Sequence, residues 1–166
     1  MADSAGDDGF DEWFVERYPD ARRVAHRVLG SAVAAEDAAA EAFTRALADW
    51  TRVSALPHRD AWVLRVTSNV AVDAARRRRP DPVVDQAGDD MDDVAVLRVS
   101  LVAELARLPR RQREAICLRY LAGLPADEVA EAMGVSANSA KKHLQRGLDR
   151  LRRSAPDDLG VDHVIA

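Results

Sequence analysis

The sequence predicts an all-α fold: two small helical domains joined by a flexible acidic linker, with a helix-turn-helix in the second. Three observations carry that expectation. Ala, Leu, Arg and Glu dominate two long segments, and no run of alternating β-branched residues reads as a sheet strand. Between the segments, Arg79-Pro80-Asp81-Pro82 stops a helical pattern, and Val83 to Asp93 is rich in Asp and Gly with little periodicity. Near the C-terminal end, Gly134-Val135-Ser136 separates two amphipathic patterns. The 166 residues suffice for two domains of roughly 60–80 residues each. The expected layout is an acidic tail over 1–9, a first domain over 10–79, a linker over 80–97, a second domain over 98–153 and a short tail over 154–166.

In the first domain the pattern predicts helices at about 10–18, 20–29, 32–50 and 59–79. Gly30 stops the second and Ser31 caps the third. The connection from Thr51 to Arg59 contains Pro57 and reads as a loop. In the second domain helices are expected at about 94–107, 110–122, 126–133 and 137–153. Pro109 opens the second of these and Gly123 closes it.

Net charge is −4, which by itself argues against a nucleic-acid partner. The distribution of that charge argues the other way. Residues 1–20 hold one Arg and seven acids, whereas residues 21–79 hold eleven Arg and six acids. Residues 80–100 hold one Arg and six Asp, and residues 101–154 hold eleven Lys or Arg against six acids. Salt screens charges beyond about 8–10 Å, so the local field governs contact with a polyanion. Two basic modules alternate with acidic strings.

No apolar run approaches the ~20 residues of a membrane helix, and the acidic start, Met1 to Asp8, lacks the layout of a secretory signal. The single cysteine, Cys117, excludes an internal disulfide framework and fits a reducing cytoplasm; its apolar neighbours place it in a core. Four widely spaced histidines, no Cys/His metal pattern, no Gly-rich phosphate loop and no nucleophile motif lead us to expect neither an enzyme nor a cofactor.

Asp127 to Ser136 has helix-turn-helix form. The Gly allows the bend, small Ala130 allows close crossing, and Val135 plugs the space between the helices. On the final helix, stepping about 100° per residue puts Ala140, Leu144, Leu148 and Leu151 on an apolar arc. Ser139, Lys142, His143, Arg146 and Arg150 fall opposite, with Asn138 and Gln145 at one edge. A polar, basic face of this kind reads base edges and holds phosphates, with Lys141 adding charge and the Ser136 cap leaving backbone N–H groups open to a phosphate. The same pattern also fits a solvated amphipathic helix at the end of a bundle. In the first domain, Val63, Val66, Val70 and Ala74 form the expected core face of the helix over 59–79. Arg65, Asn69 and Arg76 share another arc, and Arg76, Arg77, Arg78 and Arg79 close the helix. An amide beside guanidiniums suits phosphate contact together with hydrogen bonding to an unstacked base, and four arginines at a helix end also simply suit its dipole.

Over residues 10–153 the chain resembles the extracytoplasmic-function (ECF) sigma factors, with a composition of the actinobacterial type. Ala35-Glu36-Asp37-Ala38-Ala39-Ala40-Glu41-Ala42-Phe43 resembles the family's A-E-D-x-x-Q-E-x-F helix, with Ala40 where Gln is usual. The stretch from Ala61 through Asn69 to Asp73 resembles W-L-x-x-I-A-x-N-x-x-x-D, Leu108 to Glu114 resembles L-P-x-x-x-R-E, and Asp127 to Leu151 resembles the helix-turn-helix.

The resemblance implies a protein that carries core RNA polymerase to promoter DNA and catalyses nothing itself. Asp37, Glu41, Phe43 and Arg45 would dock on the clamp helices of the largest polymerase subunit. Arg65, Asn69 and Arg76 would open and hold the minus-ten element, the loop from Thr51 to Asp60 would pocket a flipped base, and the last helix would read the minus-thirty-five duplex while its domain meets the flap. Family recognition helices often read Thr-Val-Lys-Ser-Arg, whereas Ser139-Ala140-Lys141-Lys142-His143 stands here, so base preference does not transfer. The stretch after Arg153 is too short for the fused regulatory domain that the family can carry, so control is expected from a separate protein, such as an anti-sigma factor, or from transcription; the protein is expected to be cytoplasmic, monomeric when free and away from membranes. A stand-alone helix-turn-helix regulator is the alternative, and it leaves the first domain's arginine helix and acidic docking helix unused.

Overall fold

The computed structural model describes residues 9–78 and 89–154, with side chains in the second segment from Val94 onward. The acidic start before Gly9, Arg79 with the first part of the expected linker, and the tail after Ser154 lie outside the described residues. Eight α-helices and one π-helical turn make up the described chain, without a strand.

Helix α1, Phe10–Leu29, is continuous through Pro19, where two helices were expected. Proline removes the bond to the carbonyl of Val15, and because Val15 is exposed water can take that carbonyl. Gly30, with φ at 66°, ends the helix, and the Ser31 hydroxyl accepts the N–H of Ala34 to start α2, Ala32–Ala48. The chain then breaks at Asp49 and turns through a short helix α3, Trp50–Ser54. The expected loop from Thr51 is therefore helical in its first residues. The aromatic core causes this: Trp50 is drawn under α1, with its ring 5.1 Å from Phe10 and 5.2 Å from Trp13. Helix α4, Arg59–Arg77, crosses behind α1 and α2.

Helix α5, Asp89–Arg107, starts five residues earlier than its apolar pattern predicts. Aspartates suit the positive end of a helix, so the composition that reads as linker also starts one. Helix α6, Arg110–Ile116, follows Pro109 and passes into a π-helical turn, Cys117–Leu121, in place of a longer α-helix. There the N–H of Ala122 reaches the carbonyl of Cys117, and the N–H of Leu124 reaches that of Leu118. Helices α7, Ala126–Met133, and α8, Ala137–Ser154, flank the Gly134 turn, whose φ is 64°.

The first four helices form one bundle and α5 to α8 another, and the two pack together through α4. This explains why the buried set on α4 is wider than one face. Leu64, Thr67, Ser68, Ala71 and Val72 are buried beside the expected Val63 and Val70, while Val66 and Ala74 are only partly covered. The helix is sandwiched between two layers.

Gly147 is buried where α8 crosses α6, and an added Cβ would stand 2.7 Å from Ile116 Cδ1 and 3.4 Å from Gln112 Cβ. This contact accounts for a glycine in mid-helix. Gly147→Ala should be nearly neutral in a urea titration, because the Ile116 methyl can rotate aside and alanine gains ~1 kcal/mol of helix propensity. Gly147→Val should cost about 1–3 kcal/mol, the usual penalty of overpacking, since a branched side chain also meets the fixed Ile116 Cγ1 and Gln112 Cβ.

Cys117 is buried, and burial pushes its thiol up to about 12 from an ordinary 9.0. The folded thiol holds its proton at pH values where the unfolded one releases it. Its contribution to stability is therefore complete below 9.0 and declines as pH rises toward 12. Ellman's reagent at mildly alkaline pH should label Cys117 only after denaturation, and rapid labelling of the native chain would contradict this burial.

Candidate nucleic-acid and polymerase interfaces

Helix α8 presents the face its sequence predicts. Ala140, Gly147 and Leu151 are buried, with Leu144 and Leu148 partly covered. Asn138, Lys141, Lys142, Gln145, Arg146 and Arg150 are exposed, while Ser139 and His143 are half-buried. The Ser136 hydroxyl accepts the N–H of Ser139 at 3.2 Å and lies 2.9 Å from the Ser139 hydroxyl. That cap satisfies one of the free N–H groups of the first turn and leaves others for an anion. Arg111 donates to the carbonyl of Met133 at 3.1 Å, fixing the end of α7 and with it the angle at which α8 leaves the turn.

On α4 the expected trio divides. Arg76 is exposed with Arg77 and Arg78 at the helix end, and Arg79 lies outside the described residues. Arg65 and Asn69 are half-buried and face the second domain. Asn69 Nδ2 donates to Glu114 Oε1 at 3.0 Å. Burial lowers the Arg65 guanidinium from its ordinary value, with the Glu114 carboxylate opposing that shift. Glu114, whose side chain is 1% exposed, also pairs with Arg110 at 3.0 Å and Arg111 at 3.4 Å. Sequence reasoning gives Glu114 no role. Its signals are its place as the last residue of the L-P-x-x-x-R-E stretch and an acid at the head of an apolar run, which needs partners wherever it is buried.

On α2, Asp37, Glu41 and Arg45 are exposed along one side, and Glu41 pairs with Arg45 at 2.9 Å. They share a groove with Arg77 and Arg78 of α4, so the acidic and basic candidates of the first domain meet along one edge. Phe43, expected on the docking surface, is instead 2% exposed. Its ring lies 5.0 Å from those of both Trp13 and Phe14. A large ring at this position follows the apolar side of α2, with Ala39, Ala42 and Ala46, into the core. Phe43 holds α2 against α1.

The segment from Thr51 to Asp60 is held by residues that the sequence does not single out. Trp13 Nε1 donates to Asp60 Oδ1 at 2.7 Å, and Arg17 pairs with the other oxygen at 3.0 Å. The Arg59 guanidinium lies 5.9 Å from the ring centres of both Trp13 and Trp50. Among the described residues, no group of His, Cys, Asp and Glu could hold a metal ion. No described helix is long and apolar enough to cross a membrane.

Two family matches divide the chain as its helices do: Sigma-70 region 2 over residues 14–80, and Sigma-70 region 4 over residues 98–151. The chain is 30% identical to an RNA polymerase sigma-E factor of Streptomyces avermitilis, over 86% of this chain and 83% of that one. It is 27% identical to the ECF RNA polymerase sigma factor SigW of Bacillus subtilis, over 81% and 82% of the two chains. A solved structure, the sigma factor RpoE in complex with the anti-sigma factor NepR from Bartonella quintana, matches with a TM-score of 0.53 at 20% identity. The match spans 90% of this chain and 98% of that chain, a likeness of fold.

Proposed function

The chain belongs to the extracytoplasmic-function sigma factors of the sigma-70 family, and from that premise we propose how its two domains divide the work of starting transcription. The protein is an RNA polymerase sigma factor that directs promoter recognition. It acts by binding and placement and catalyses no reaction of its own. The exposed face of α8 reads the minus-thirty-five duplex: Asn138, Lys142 and Gln145 reach base edges, and Lys141, Arg146 and Arg150 hold phosphates. Arg65, Asn69 and Arg76 to Arg79 take the opened minus-ten strand. The segment after Trp50 pockets a flipped base, since its anchoring by Trp13 and Arg17 gives it a fixed wall.

Asp37, Glu41 and Arg45 dock on the clamp helices of the largest polymerase subunit, and the second domain meets the flap. A separate anti-sigma factor regulates the protein, which acts in the cytoplasm as a monomer before it joins polymerase. The observation that carries this reading is a match to Sigma-70 region 2 followed by one to Sigma-70 region 4 on one chain. Gel filtration with purified core polymerase tests it. The chain should co-elute with core, and Glu41→Arg with Arg45→Glu should abolish co-elution without altering the thermal midpoint. Duplex binding by the chain alone, with no association to core, would instead make it a lone helix-turn-helix regulator.

A further inference from the structure

Helix α8 crosses α6 at Gly147, where the missing side chain lets Ile116 and Gln112 come close. Beside that crossing lies a cleft of about 280 Å³, lined by Gln112, Arg146, Asp149, Arg150 and Arg153. We propose that this cleft is a phosphate-binding site beside the base-reading edge of α8, with Gln112 as the residue that positions its guanidiniums. The ligand is a phosphate group, carried either by a DNA strand or by a small phosphorylated molecule. Only the DNA source rests on the sigma reading above.

The walls supply the charge. Arg146, Arg150 and Arg153 stand at i, i+4 and i+7, so they form one stripe about 10 Å long. All three are exposed, and among the described residues no acid pairs with any of them. Asp149, the acid in the wall, lies 3.8 Å from Arg152 instead. The helix dipole accounts for little of this charge, because it fades beyond the last turn and Arg146 lies two turns before Ser154. The floor supplies the geometry. Gln112 is 8% exposed, and its Oε1 is buried without a donor among the described residues. A buried acceptor without a partner costs stability, whereas a leucine would fill the same place without that cost. The amide gains a partner once an arginine turns inward. One guanidinium N–H then donates to Oε1, and the others remain as a fork for phosphate oxygens. Lys141 and Lys142 lie outside this lining.

Isothermal titration with sodium tripolyphosphate, at matched ionic strength, tests the site on the full-length chain. The variants are Gln112→Leu, Arg153→Ala and Arg150→Ala with Arg153→Ala, beside the control Lys141→Ala with Lys142→Ala. The parent should bind. The double arginine variant should weaken binding about tenfold, and Arg153→Ala and Gln112→Leu about threefold each. The control removes as much charge outside the cleft and should stay within about twofold of the parent. Gln112→Leu should also melt above the parent, because it removes the unpartnered acceptor.

Fluorescence anisotropy with a mixed-sequence duplex over a salt series identifies the source. If a DNA strand supplies the phosphate, Arg153→Ala and Gln112→Leu weaken duplex binding as well. Arg153→Ala then flattens the salt slope by ~0.9, while Gln112→Leu leaves it unchanged. If a small molecule supplies it, both variants keep the parent's duplex affinity and lose only tripolyphosphate. A parent that does not bind tripolyphosphate, or an equal loss in the control, would overturn the proposal. A Gln112→Leu chain that melts lower and binds phosphate as the parent does would remove the positioning role. Run-off transcription by core with the parent chain is independent of these titrations: its failure removes the sigma reading and leaves phosphate affinity standing.

Discussion

Replacing Lys141, Lys142 and Arg146 together by Ala should weaken promoter binding by the polymerase complex on the order of 10²-fold at about 0.15 M salt, and flatten its salt dependence. Each phosphate contact on duplex DNA releases counterions worth a slope of ~0.9 in log affinity against log salt, so three contacts remove about 2.7 from the slope. All three side chains are exposed, Lys142 and Arg146 on the side of α8 away from Ala140, Gly147 and Leu151 and Lys141 at its flank. They carry no packing, and alanine is a better helix former than any of them. The variant should therefore melt at or above the parent's temperature while losing DNA. Fluorescence anisotropy over a salt series reads both quantities. An unchanged slope would mean that α8 points away from the duplex, and the exposed basic face would then be only a solvated surface. His143 belongs to a different test: it is half-buried, so His143→Ala should alter base preference more than salt slope.

Phe43→Ala should cost about 3–5 kcal/mol in urea titration, the range for a fully buried aromatic ring. The ring is 2% exposed and packs against Phe10, Trp13, Phe14 and Tyr18, at centroid distances of 5.0 to 6.4 Å. The remaining space would open between α1 and α2, and neither helix can shift without also moving Trp50. Typical domains hold about 5–15 kcal/mol in all, so loss on this scale places the first domain near its folding threshold. The direct contrast is Arg45→Ala, an exposed change on the same helix, which should leave stability within about 0.5 kcal/mol while weakening association with core. If Phe43→Ala lost core binding at unchanged stability, the ring would be a docking residue after all.

Local chemistry makes much of this fold legible in the sequence. Gly30 and Gly134 do end helices with positive φ, Ser31 and Ser136 do cap them, and the apolar arc of α8 is the buried one. These features depend on residues within one turn of each other. The features that local pattern misses depend on distant partners. Pro19 lies inside α1 because neighbouring helices hold that helix, and the π-helical turn at Cys117–Leu121 arises where the chain must reach the Gly123 bend.

The candidate site divides the same way. The exposed residues of α8 and α2 are legible as surface, since amphipathic periodicity reports which face is wet. Phe43 obeys the same rule, on the apolar side with Ala39, Ala42 and Ala46; it is the family motif, not the periodicity, that puts it on the docking surface. Arg65 and Asn69 read as a free face when α4 is taken alone. Their partner Glu114 is 45 residues away in sequence from Asn69, across a domain boundary that no helical periodicity crosses. Gly147 likewise looks like a weak spot in its own helix, and only the packing of Ile116 against it explains its place there.

Run-off transcription with purified core polymerase and this chain, on fragments of genomic DNA, tests most directly whether the chain starts transcription at promoters. A sigma factor built as described should give discrete transcripts that require both core and chain, with permanganate-reactive thymines just upstream of each start and loss of the transcripts when Lys141, Lys142 and Arg146 are replaced. Transcription by core that is the same with and without the chain, alongside specific duplex binding by the chain alone, would contradict it.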